Sequence, residues 1–221
     1  MNLSNCRLVD LTYIITPESG ARPVHVERVP APEAVPDGLW YIMHKVEMTL
    51  NHVGTHIEAP YHVRQDGMDV AAVPLEKLCG EAVVLDLRYV TPGGVVTETN
   101  VRRAAEKVGG VHPGDIVLGR FDYDGTPGMS RNFTAEAIAY LVDAGIKLMG
   151  VDLGGVELPN SDPRHVDQYN HHQLLDHDIC LIENVANLKA LTKPRVYVCA
   201  LPIPIKGLDS FPIRLVAWEE Q

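Results

Sequence analysis

Asn51-His52-Val53-Gly54-Thr55-His56-Ile57-Glu58-Ala59-Pro60-Tyr61-His62 places three of the chain's ten histidines and one carboxylate within eleven positions. The spacing of His52 and His56 suits one face of a helix, but the residues between them do not. Gly54 and the β-branched Val53, Thr55 and Ile57 are poor helix formers, and Pro60 blocks continuation. Read instead as an extended segment of period two, His52, Gly54, His56 and Glu58 share one face, with Gly54 leaving room between the side chains. Two imidazoles and a carboxylate that converge in this way form part of a metal site, and nitrogen and oxygen ligands suit zinc, manganese or iron.

The flanking sequence supports a strand entering this stretch. From Tyr41 to Leu50 the residues alternate, with Ile42, His44, Val46, Met48 and Leu50 on one face and Lys45, Glu47 and Thr49 on the other. This predicts a half-buried strand with His44 on its apolar side. Upstream, Cys6 to Ile15 reads as a first strand. Pro17 to Pro36, with five prolines, reads as an extended arm that reaches to about residue 40 and is long enough to cover a site or touch a neighbouring subunit.

Downstream, strand and helix signals alternate. A short helix at Pro74 to Cys79 precedes a strand at Glu81 to Leu87. A helix at Thr97 to Val108 stops at Gly109-Gly110 and is followed by a strand at Ile116 to Phe121. Thr134 caps a helix at Ala135 to Ala144, and a further strand spans Ile146 to Val151. Such alternation predicts an α/β fold. Asp152 to Pro163 reads as a loop past a strand end, where α/β folds place ligands. The last strands fall at Arg195 to Leu201 and Ile213 to Trp218. No internal repeat or dividing linker interrupts residues 1–221, which reads as one compact domain.

Bulk properties exclude several classes. The chain has 221 residues, 46% of them hydrophobic and 22% charged, and a formal net charge of −10. With no basic run longer than Arg102-Arg103, neither nucleic acid nor an anionic membrane is an expected partner. No apolar run is long enough for a membrane span, and Met1 to Asp10 lacks a basic region followed by an apolar core. Cys6, Cys79, Cys180 and Cys199 are scattered without a C-x-x-C pair, which predicts reduced, mostly buried thiols and a cytoplasmic location. No G-x-S-x-G elbow, Walker A motif or G-x-G-x-x-G fingerprint is present, which disfavours serine-hydrolase and nucleotide chemistry.

A second histidine window, Asn170 to Asp178, carries His171, His172 and His177, and Glu183 follows. A catalytic metal needs three or more ligands and usually an open position. His52, His56 and Glu58 are therefore expected to supply one set, with His171 and Glu183 completing a one- or two-ion centre.

These residues resemble a known family. His52-x-Gly54-Thr55-His56-x-Glu58-x-Pro60-x-His62 is similar to the H-x-G-T-H-x-D-x-P-x-H signature of the cyclase-family metal hydrolases, which include bacterial kynurenine formamidases and isatin hydrolases. Asp10-Leu11-Thr12, Gly150-Val151-Asp152 with Ser161-Asp162-Pro163, His171-His172 with Glu183-Asn184, Leu201-Pro202-Ile203 and Gly207 to Arg214 resemble further elements of that family. The resemblance implies a swivelling β/β/α type of α/β fold, in a homodimer or homotetramer. It implies one divalent ion, zinc first and manganese or iron next, on His52, His56 and Glu58. A second ion falls on His171 and Glu183, and His62 is the proton-transfer group. Two departures stand out: Glu58 replaces the signature aspartate, and the arm reads Gly20-Ala21-Arg22-Pro23 where formamidases carry a W-P-G-D-like element, with Trp40 a nearby substitute.

The implied activity is hydrolysis of a small amide, formamide or lactam, a C–N bond outside peptides. A divalent ion lowers the pKa of its bound water from 15.7 to about 7, yielding a hydroxide nucleophile at neutral pH. His62 takes a proton from that water and returns it to the leaving amine. An isatin-hydrolase-like lactam opener and a cyclase or dehydratase are alternatives from the same chemistry. A metal- or small-molecule-binding protein without turnover is the alternative from another class.

Overall fold

The computed structural model describes residues 5–36 and 41–221. In chain order the elements are β1 (Cys6–Asp10), β2 (Val24–Val29), β3 (Met43–Met48), β4 (His56–Glu58), α1 (Leu75–Leu78), β5 (Cys79–Asp86), β6 (Val95–Val96), α2 (Glu98–Lys107), β7 (Ile116–Arg120), β8 (Asn132–Phe133), α3 (Ala135–Asp143), β9 (Leu148–Val151), α4 (Tyr169–Leu175), β10 (Cys180–Glu183), β11 (Arg195–Pro202) and β12 (Ser210–Glu220). The α/β alternation predicted for the middle of the chain is present, and its caps form as the sequence suggests. The Thr97 side chain accepts from the Asn100 backbone in a reciprocal capping box, and Thr134 accepts from the backbone of Ala137.

Eight strands form one sheet in the order β1-β12-β11-β5-β7-β9-β10-β4. Three-residue β4 closes it into a barrel, because it pairs antiparallel with β10 on one side and with β12 on the other. The parallel stretch β5-β7-β9-β10 is buried on both faces, so its strands read as continuous apolar runs. Along β5, Ala82 and Val84 point into the barrel with Ile116, Leu118, Ile182 and Val198. Val83 and Leu85 point outward against Val101, Ala104, Ile138, Leu141 and Leu174 of α2, α3 and α4. No helix among the described residues is long and apolar enough to cross a membrane.

The N-terminal third differs from expectation. β1 ends at Asp10 rather than running to Ile15, and the proline-rich arm contains a strand. β2 pairs antiparallel with β3 from Val24↔Met48 to Val29↔Met43, forming a hairpin separate from the barrel. The alternation of residues 41–50 therefore does not mark a half-buried strand. Val26 and Val46 are 41% and 59% exposed, and His44 is exposed rather than packed on an apolar face. A ladder partner, not core packing, fixes this strand. Trp40 and the end of the arm lie outside the described residues.

Candidate metal centre

The centre sits where β4 closes the barrel. The extended run predicted from His52 to Glu58 is broken at Gly54, which takes a left-handed φ of +60°. A Cβ there would lie 3.0 Å from Ile15 Cγ1, so only glycine fits the turn without displacing that side chain. The Thr55 hydroxyl fixes the exit from the turn, donating to the Asn184 carbonyl at 2.6 Å and accepting from the Tyr13 backbone at 3.0 Å. The strand itself is only His56–Glu58. Within it Ile57 points into the core, and His56 and Glu58 point to the other face. The turn brings His52 back beside them by a different route from the one its spacing suggested.

Register supplies the next ligand. His56 stands opposite Glu183, the last residue of β10. His171 comes from α4, whose first residues receive the Glu157 carboxylate: its oxygens accept from the backbone of Asn170 at 3.2 Å. A 3-10 turn at Pro60–His62 places His62 at the edge of the same group.

The Nδ1 atoms are already engaged. Nδ1 of His52 meets Asn51 Oδ1 at 3.0 Å, that of His56 meets the Gly54 carbonyl at 3.0 Å, and that of His171 meets Glu157 Oε2 at 2.8 Å. Acceptors at Nδ1 fix the tautomer and turn the Nε2 lone pair inward, as in metal-ligating histidines generally. His52 Nε2, His56 Nε2 and Glu58 Oε2 are buried without any hydrogen-bond partner. Buried polar atoms are rarely left so, and three of them together call for an occupant.

The separations identify that occupant as a cation. His52 Nε2 and His56 Nε2 lie 3.3 and 3.7 Å from Glu58 Oε1. His56 Nε2 is 3.4 Å from Glu183 Oε2, and His171 Nε2 is 3.5 Å from Glu183 Oε1 and 3.7 Å from Glu58 Oε2. Ligands bound at 2.0–2.2 Å around one tetrahedral ion stand about 3.3–3.6 Å from one another, longer than a good hydrogen bond. Two ligand triads result, His52-His56-Glu58 and Glu58-His171-Glu183, with Glu58 common to both. The residues present thus fit a divalent metal. All five residues anticipated from the sequence as ligands are brought together here.

Charge favours the same occupant. Burial alone would depress His56 and His171, but Glu183 and Glu58 lift His56 to about 9, and Glu157 and Glu183 lift His171 to about 10. Burial pushes Glu58 and Glu183 up, yet the facing imidazoles hold both below the usual carboxylate range. Raised imidazoles facing lowered carboxylates make the locus favourable to positive charge, and a bound metal would take the place of the imidazole protons.

His62 differs from the other three histidines. Its Nδ1 is 2.8 Å from Asp209 Oδ2, while its Nε2 lies 3.9 Å from Glu58 Oε1, at the margin of the cluster. Asn51 Nδ2 donates to Asp209 Oδ1 at 2.7 Å, and burial is outweighed by these bonds, so Asp209 is held below its ordinary value. His52, His62 and Asp209 form a third possible ligand group.

Asp209, Glu157 and Asn51 carry no assigned role in the sequence reading. Asp209 sits in the quoted Gly207-to-Arg214 element, and Asn51 abuts the first histidine. Glu157 lies 14 residues before His171 with no spacing rule to mark it. Conversely, half-buried His172 pairs with Asp176 at 3.0 Å and exposed His177 meets the Gln173 carbonyl at 2.8 Å, and neither joins the ligand groups of the centre. Asp152 is a loop organiser: it accepts from the backbone of Phe121 and Asp122, and burial pushes it up to about 6. Asp162 holds Arg164.

A cavity of about 270 Å³ opens over the centre, lined by His52, Glu58, His62, His171 and Glu183, with Arg22 and Gln168 among its other walls. Arg22 Nη1 donates to the His52 carbonyl at 2.9 Å and ties the arm to this wall.

Comparison with known proteins agrees with this geometry. Over 172 residues the chain is 31% identical to a kynurenine formamidase of Salinibacter ruber, covering 75% of this chain and 74% of that one. It is 30% identical over 177 residues to a kynurenine formamidase of Bacillus mycoides, covering 78% of each. Its fold matches isatin hydrolase A from Labrenzia aggregata with a TM-score of 0.83 at 24% identity, over 99% of this chain and 95% of the other. A structure described as a potential metal-dependent hydrolase with cyclase activity matches with a TM-score of 0.75 at 23% identity, over 98% and 99%. The family model described as "Putative cyclase" aligns with residues 9–158, a span that includes β4, both sides of the Gly54 turn and the parallel strands β5, β7 and β9, and the chain belongs to the cyclase family.

Proposed function

We propose that this protein hydrolyses the C–N bond of a small amide, formamide or lactam, using one or two divalent cations held by His52, His56, Glu58, His171 and Glu183. The observation that carries the reading is the juxtaposition of buried, unpartnered ligand atoms with His62, itself held by Asp209, beside one cavity. Kynurenine formamidase relatives at 30–31% identity add the reaction class, an aryl formamide as first substrate to try.

A bound divalent cation supplies Lewis acidity toward a carbonyl oxygen and acidifies a water. Three imidazoles and two carboxylates without a thiolate suit zinc first, then manganese or iron. The remaining steps belong to the chain. Asp209 accepts from His62 Nδ1–H and so leaves Nε2 as the basic atom, directed toward the cluster. Nε2 takes a proton from the attacking water and delivers it to the amine nitrogen as the C–N bond breaks. Glu157 and Asn51 keep His171 and His52 turned inward throughout. The cavity is just under the about 300–1,000 Å³ usual for ligand sites, which limits the substrate to a compact molecule.

The test is turnover of N-formylkynurenine, isatin and simple lactams by protein stripped with chelator and reloaded separately with zinc, manganese or iron. Metal-dependent hydrolysis of at least one substrate is expected. Tight, stoichiometric metal with no turnover of any would replace the reading with that of a metal-binding protein.

A further inference from the structure

The sequence suggested mostly buried thiols, but only Cys180 is buried, while Cys79 and Cys199 are half-buried. Cys79 begins β5 and Cys199 lies in β11, and the two stand directly opposite each other in the antiparallel ladder. Their pairing type follows from the bond Val84 N–H to Pro194 carbonyl at 2.9 Å, which makes 84/194 a hydrogen-bonded pair. Pair types alternate along an antiparallel ladder, so 82/196 and 80/198 are hydrogen-bonded and 79/199 is not. At such a position the Cα atoms approach to about 4.5 Å and the side chains lean together, within the range a disulfide spans. Burial, with Cys79 close by, pushes Cys199 up to about 12.

The pair lies on the outer face of the sheet, since Val198 and Ala200 on the same strand point into the barrel. In the next row of that face stand Glu81 and Tyr197, with Trp218 beyond on β12. The ring centroids of Tyr197 and Trp218 are 6.3 Å apart. They line a groove of about 480 Å³ whose charged members include Lys193, Arg195 and Glu220. On the other side of the pair are Leu201 and Arg214, and Lys147 Nζ donates to the Cys79 carbonyl at 2.7 Å.

We propose that Cys79 and Cys199 are a reversible dithiol site, closed to an intrachain disulfide by exchange with a charged low-molecular-weight disulfide that enters the adjoining groove. One of the two sulfurs attacks as the thiolate, breaking the incoming S–S bond and releasing one thiol. The other then gives up its proton, and its sulfur displaces the second thiol from the mixed disulfide. The protein pair is oxidised by two electrons, the small disulfide is reduced to two thiols, and no other oxidant enters.

The full-length protein, treated with oxidised glutathione, should lose two titratable thiols and two hydrogens of mass. A peptide map should show the Cys79–Cys199 link, and dithiothreitol should reverse it. At least one of Cys199→Ser and Cys79→Ser should instead trap a glutathione adduct on the remaining cysteine of the pair. Lys193→Glu should slow closure by anionic oxidised glutathione severalfold while leaving closure by neutral hydroxyethyl disulfide unchanged. The proposal is overturned by wild-type protein that keeps all its thiols, by a link through Cys6 or Cys180, or by a stable adduct without a link. An adduct in neither Cys79→Ser nor Cys199→Ser overturns exchange as the route. Equal slowing of both disulfides by Lys193→Glu overturns the role of the groove.

Discussion

The two histidine windows have similar composition and different fates. In the first, His52, His56 and His62 all reach the cluster. In the second, only His171 does, although His172 and His177 are neighbours in sequence. The difference lies in what each ring finds at Nδ1 and Nε2. His52, His56 and His171 have Nδ1 held by a carbonyl or carboxylate oxygen and Nε2 turned toward buried carboxylates. His172 and His177 also bond through Nδ1, but to partners four residues away, and among the described residues no hydrogen bond or ion pair reaches their Nε2 atoms. Density of histidine in sequence marks a site only where distant elements converge on it.

The comparison breaks first, and most visibly, on metal content. His56→Ala and His171→Ala are expected to lose bound metal and activity together, whereas His172→Ala and His177→Ala keep both. Elemental analysis alongside turnover checks this, and metal loss in His172→Ala would end the distinction. Next in size is His62→Ala, which should retain metal and lose about 10²–10⁴-fold in turnover, the usual worth of a positioned acid–base group. Metal loss there would make His62 a ligand through the His52-His62-Asp209 group. Third, Glu157→Gln should weaken metal binding by about 10–100-fold through its hold on His171. The matched change on the exposed helix, Asp176→Asn, should leave affinity untouched in a competition titration against a chelator.

A smaller effect is expected in the metal-free protein. His56 and His171 have native values of about 9 and 10 against an ordinary 6.5. Groups raised in this way contribute stability that is present below pH 6.5 and lost as the pH rises through 9 to 10. Thermal melts of stripped protein should therefore fall across that window. Melts of metal-loaded protein should hold steady there, because its imidazoles are already deprotonated. A flat profile for the stripped protein would show that these rings are neutral without metal. Smallest is Gly155→Ala. Gly155 has φ +140°, and a Cβ there would sit 3.1 Å from Glu183 Oε1, so the added methyl should loosen metal binding modestly without unfolding the protein.

Much of this was legible in the chain itself. The parallel strands carry long apolar runs because both their faces are covered, and Thr97 and Thr134 mark helix starts by local chemistry alone. The five candidate ligands could be named because four of them sit in dense local patterns and Glu183 follows the second of these. What stayed hidden is non-local. A three-residue strand has too few positions to show a period, so neither β4's double pairing nor the turn at Gly54 was readable. Asp209 meets His62 across 147 residues of sequence, with no local signal for the encounter. The strand at residues 43–48 misled in the opposite way: its alternation is real, but the partner is another exposed strand, which hides only part of one face.

The closure by β4 also sets a timetable. Glu58 pairs with Ser210 on one side and Leu181 on the other, and Asp209 adjoins the same strand. A ribosome delivers residues 52–62 long before residues 181–212, so the early histidines must wait unpaired while most of the barrel is synthesised. Contacts of such separation form late, after the cost of closing a long loop has been met. An ion captured by the nascent segment would find at most three of the five ligands, His52, His56 and Glu58. The full set of five therefore exists only once β10 has been made and paired with β4.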